Sequence, residues 1–76
     1  MIVIIRDICA HNFTFKVKDT DTIKTLKAMI ELKTGNTTCS QRLIYNGQNL
    51  KDSRKIVDYN IRDYSVIHMI LTITGC

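Results

Sequence analysis

Long hydrophobic runs are missing from this 76-residue chain. The longest apolar stretches, such as Ile2 to Ile5, span a few residues, far short of the roughly 20 a membrane helix needs. No basic segment leads into a long apolar stretch at the N-terminus, so no signal peptide is read there. Glycine is scarce, with three residues standing far apart, which excludes a glycine-rich phosphate-binding loop. Tryptophan is absent and the aromatics are two Phe and three Tyr, too few to build stacking platforms for single-stranded nucleic acid. The two histidines, His11 and His68, have no serine or cysteine at nucleophile–base spacing. Paired carboxylates in a cleft are not indicated either. The expectation is no catalytic residues, no enzyme activity and no cofactor.

The three cysteines, Cys9, Cys39 and Cys76, form no CxxC or CxxCH motif. An odd count at such spacing is a poor disulfide framework and a poor zinc site, so no metal is expected. Free thiols fit a reducing compartment, cytoplasm or nucleus. Eleven Lys+Arg against seven Asp+Glu give a net charge of +4. The basic residues are scattered, and Asp52 interrupts the one cluster, Lys51 to Lys55. That pattern reads as a solvated face rather than a nucleic-acid footprint. Hydrophobic residues make up 45% and charged residues 24%, as in an ordinary globular chain and unlike a disordered one. A chain of this length buries about 60% of its unfolded surface, enough for one small core. Residues 1–76 are therefore read as a single domain.

Met1 to Arg6 is apolar and β-branched and reads as a strand. Asp7 to Asn12 is a turn, and Phe13 to Val17 alternates as a second strand, closing a hairpin. Thr22 suits a helix N-cap, Ile23, Leu26 and Ile30 fall on one helical stripe, and Gly35 fits the left-handed position after the helix. That predicts a helix of about 12 residues. A polar connection over Asn36 to Gln41 precedes a short strand, Arg42 to Tyr45, and Asn46-Gly47 signals a tight turn. Leu50 returns toward the core, Ile56 to Tyr59 forms a short helical turn, and Ser65 to Ile73 is the last strand. A mixed sheet of about five strands packed on one α-helix satisfies this order. The fold class is α+β, of the β-grasp kind.

The chain resembles ubiquitin over its whole length. The resemblance is carried by Met1, Asp21-Thr22-Ile23, Lys27-Ala28, Ile30, Lys33, Gly35, Gln41-Arg42-Leu43-Ile44, Gly47, Leu50, Asp52, Arg54, Asp58-Tyr59-Asn60-Ile61, Ser65 and His68. It implies a core of Val3, Ile5, Phe13, Phe15, Val17, Ile23, Leu26, Ile30, Leu43, Leu50, Ile56, Ile61, Ile67 and Met69, all apolar here. It also implies that Lys27, on the buried helix stripe, pairs with Asp52, and that the Tyr59 hydroxyl caps backbone in a tight loop. Proline, which the family often carries after the helix, is absent where Thr37 and Thr38 stand. Ala10 replaces a turn glycine. The expectation there is a shifted turn, with His11 or Asn12 absorbing the positive φ. Ile2 and Ile4 face outward beside Tyr64 and Ser65, as a second adhesive patch or a self-association surface.

The resemblance places function on a surface. Ile8, Ile44, His68 and Ile70 match an exposed apolar docking face, with Arg42, Arg6 and Gly47 on its rim. Alternation agrees, since Ile44 and Ile70 are out of phase with core residues Leu43 and Met69. Exposed aliphatics converging on one face mark a partner site. A basic rim favours acidic helices with a small apolar anchor, the type found in ubiquitin-interacting motifs. The implied partners are proteins with ubiquitin-binding motifs, the proteasome or ubiquitin-pathway enzymes, and neither nucleic acid nor membrane. A conjugated modifier ends in Gly-Gly, whereas this tail reads Gly75-Cys76, with Thr72 and Thr74 in place of arginines. Of the linkage lysines only Lys27 and Lys33 remain. The reading is a noncovalent ubiquitin-like module, of the sort that opens larger pathway proteins. The alternative is a modifier conjugated after processing or by a divergent activating enzyme. A monomer is expected, although Cys76 can link two chains through an adventitious disulfide.

Overall fold

The computed structural model describes residues 1–72. Its elements are β1 (Ile2–Arg6), β2 (Asn12–Lys16), α1 (Ile23–Thr34), β3 (Gln41–Tyr45), β4 (Gln48–Asn49) and β5 (Ser65–Leu71), with 3-10 turns at Thr38–Ser40 and Ile56–Tyr59. The strands form one sheet in the order β2-β1-β5-β3-β4. β1 and β5 run parallel and the other neighbours antiparallel. A parallel pair needs a long crossover, and everything between residues 6 and 65 supplies it. This is the mixed sheet and single helix of the β-grasp fold. The final strand ends at Leu71, and the Thr72 amide donates to the Ser40 carbonyl at 2.7 Å. Expectations about Ile73, Thr74, Gly75 and Cys76 lie outside the described residues.

The helix follows its sequence signals. The Thr22 side chain accepts from the Thr25 amide, and Gly35, at φ 80°, donates its amide to the Glu31 carbonyl. Ile23, Leu26 and Ile30 are fully buried and join Val3, Ile5, Leu43, Ile67 and Met69 from the sheet in one core. Among the described residues thirteen hydrophobic ones are buried, all of them among the fourteen anticipated. The exception is Phe13, which is half-buried against the core at the turn end of the edge strand β2, whereas Phe15 further along the same strand is buried. Asn46 and Gly47 adopt φ 53° and 77°, the paired positive values of a type I′ hairpin turn.

Two polar groups are buried with the core. Lys27, 8% exposed, places its Nζ 2.7 Å from Asp52 Oδ1. Gln41 donates from Nε2 to the carbonyls of Asn36 (2.9 Å) and Lys27 (3.2 Å), tying β3 to the helix and to the segment after it. The Tyr59 hydroxyl accepts the Lys51 amide at 2.9 Å.

Two expectations are corrected. Ala10 itself takes φ 64°, and the turn does not shift. Asp7 holds it: its Oδ1 accepts the amides of Cys9 and His11, both at 2.9 Å, while backbone bonds join Ala10 to Asp7 and Asp7 to His11. The Arg6–Asn12 pair then fixes the register on either side. Cys9 is exposed and free, but Cys39 is disulfide-bonded, so the expectation of free thiols fails at Cys39. Spacing along a chain does not report which sulfurs folding brings within bonding distance.

Candidate functional site

Alternation along three strands divides the sheet into a buried face and an open one. Val3 and Ile5 of β1, Leu43 of β3, and Ile67 and Met69 of β5 point inward. Their neighbours Arg6, Ile44, His68 and Ile70 therefore point outward. Register brings these outward residues together. Ile44 lies opposite His68, Arg42 opposite Ile70, and Arg6 beside His68.

The β1–β2 turn completes the site. Ile8, 78% exposed, extends from the turn held by the Asp7 carboxylate. Ile8, Ile44, Ile70, Met69, His68, Arg6 and Asp7 line one shallow, mainly apolar hollow of about 370 Å³. Ile44 is half-buried, while Ile70 is 39% exposed. An aliphatic cluster so placed has contacts to gain from a partner and few to lose.

Five of the seven residues singled out from the sequence therefore share one hollow. Arg42 lies next to it, across from Ile70. Gly47 does not line it; it sits exposed in the β3–β4 turn. Sequence reasoning missed Asp7 and Met69 as lining residues. The signal for Asp7 was its place at the head of a turn, where an Asp carboxylate bonds amides two residues on.

The rim is cationic. Arg6 Nε donates to Asn12 Oδ1 at 3.0 Å, across from β1 to its register partner on β2. The Asp7 carboxylate is engaged by two amides and lies 3.4 Å from His11 Nδ1. Among the described residues, no group of three or more His, Cys, Asp or Glu could hold a metal ion. Such a hollow offers apolar contact beside a cationic side chain.

The mixed five-strand sheet on one helix is a β-grasp fold with an exposed aliphatic hollow on its open face. The Ubiquitin family model matches residues 5–74, and the chain belongs to that family. It is 31% identical to the NEDD8-like protein RUB3 of Arabidopsis thaliana, covering 93% of this chain and 91% of that protein. The Ubiquitin-like protein NEDD8 of Dictyostelium discoideum is 28% identical over 99% of this chain and 97% of its own length. The Large proline-rich protein bag6-B of Xenopus laevis is 36% identical over 92% of this chain, which corresponds to 6% of that protein.

Proposed function

We propose that the chain is a ubiquitin-like protein-binding module, recognised noncovalently through the Ile44-centred face by ubiquitin-receptor or proteasome-type partners. The observation that carries this reading is the meeting of Ile8, Ile44 and Ile70 in one hollow with Arg6 and His68 beside them. Fully burying an aliphatic side chain contributes roughly 1.5–3 kcal/mol. Association costs several kcal/mol in lost freedom, so a face with three anchors supports reversible rather than permanent binding. The partner's matching chemistry is an acidic amphipathic helix with a small apolar anchor. The match to a short stretch of bag6-B supports use as a domain within a longer protein. At the tail, Gly75 is followed by Cys76 rather than glycine, and Thr72 and Thr74 are uncharged, which supports a noncovalent role.

The test is a titration with an acidic amphipathic helix, followed by backbone amide shifts. Shifts concentrated on Ile8, Ile44, His68 and Ile70, with Ile44→Ala weakening binding about tenfold, support the module. Shifts that avoid this face reject it.

A second reading has its own observation: the NEDD8-like relatives are matched across 91–97% of their length. On that reading the chain is a modifier conjugated to target proteins after processing or through a divergent activating enzyme. Incubation with a ubiquitin-family activating enzyme and ATP distinguishes the two. A thiol-labile adduct favours the modifier, and its absence favours the module.

A further inference from the structure

None of the five strands contains an Asp or Glu. Their three Lys/Arg residues, Arg6, Lys16 and Arg42, are all exposed. The acids nearest the open face are turned to other tasks: Asp7 holds the β1–β2 turn, and Asp63 Oδ1 accepts the Ile2 amide at 2.6 Å. Asp7 lines the hollow, but its carboxylate is taken up by the turn amides, so the strands of the open face present cations and aliphatics with no carboxylate of their own.

Its aliphatic groups fall on two sides of a basic row. Arg6 and His68 are register neighbours, and Ile44 continues the row across β5. One step toward the start of β1 and β5, Ile4 lies beside Val66, with Ile2 further along; all three are half-buried. One step the other way are Ile70 and the turn residue Ile8. The hollow already described is one half of this pattern, and the Ile4–Val66 pair is the other.

We propose that the open face is a single bipartite docking site for an acidic amphipathic helix. One apolar anchor seats at the Ile44–Ile70 hollow, a second on Ile4 and Val66, and a carboxylate between them meets Arg6 and His68. The proposal rests on the module reading and defines its partner. Spacing sets the pattern. Val66 and Ile70 are four residues apart on β5, about 13 Å at strand rise. A helix covers about 12 Å in eight residues, so anchors at i and i+8, with Glu at i+4 on the same side, match both halves and the basic row. A second copy of this chain does not fit, because two such faces would set Arg6, Arg42 and Lys16 against like charge.

The experiment is calorimetric titration of the 76-residue chain with two synthetic acidic helical peptides. One has Leu at i and i+8 and Glu at i+4; the other has Ala in place of one Leu. The two-anchor peptide is expected to bind about tenfold more tightly. Ile4→Thr, or Val66→Thr should the first variant unfold, erases that advantage and leaves the one-anchor affinity unchanged. Ile44→Ala weakens both peptides. Equal affinities for the two peptides, or an advantage that survives both threonine variants, overturns the bipartite site. If Ile44→Ala still weakens both peptides in that case, the module reading stands. If neither peptide binds, or Ile44→Ala has no effect, both fall.

Discussion

The Lys27–Asp52 pair is unequal in its surroundings: the lysine side chain is 10% exposed and the aspartate 53%. Removing the lysine leaves a carboxylate that water can reach. Removing the aspartate strands an ammonium among apolar neighbours, the more expensive outcome. Asp52→Asn is therefore expected to destabilise the fold by about 2 kcal/mol or more, and Lys27→Met by less. Urea denaturation of both variants measures the order, and a reversed order refutes the argument. Ala10 supplies a second case. At φ 64° an L-residue pays about 1 kcal/mol that glycine does not. Ala10→Gly should raise the denaturation midpoint with an unchanged m-value. No change would mean that the Asp7 bonds, rather than steric relief, dominate the turn.

At the scale of elements, local chemistry explains what could be read beforehand. The helix was legible because Thr22, the Ile23–Leu26–Ile30 stripe and Gly35 agree with one another. So was the hairpin turn, because Asn46-Gly47 admits positive φ at both positions. The candidate face was legible through alternation, which separates Ile44 from Leu43 and Ile70 from Met69. Less was visible where tertiary bonds override local preference. Tyr64 adopts φ 64°, held by its amide donating to the Ile2 carbonyl at 2.6 Å, a bond spanning nearly the whole chain. The half-burial of Phe13 goes with its place at the turn end of an edge strand, which periodicity does not contain. The segment after the helix yields a prediction of its own. Thr37 has φ −64° and ψ 150°, values a proline adopts without strain. Thr37→Pro should stabilise by about 0.4–1 kcal/mol, less the Thr37–Ser40 hydroxyl contact it removes. A lower thermal midpoint would show that the contact outweighs the entropy.

Across the whole molecule the basic residues are spread along the chain, but the strands carry cations and no acids. The excess of four positive charges is joined to a sheet free of acids, so the field at the open face points one way. Steering of this kind acts on encounter more than on residence. Raising the ionic strength should slow association with an acidic helix markedly and change dissociation little. Stopped-flow kinetics at two salt concentrations would reveal it, and equal effects on both rates would argue that the cations play no long-range part.

The parallel pairing of β1 with β5 has a temporal meaning. Of the five strands, β1 is made first and lies inside the sheet, and its neighbour at the centre, β5, is made last. A nascent chain can close its opening hairpin early, but β3 also waits for β5. The candidate face therefore cannot assemble until β5 has left the ribosome and paired with both β1 and β3.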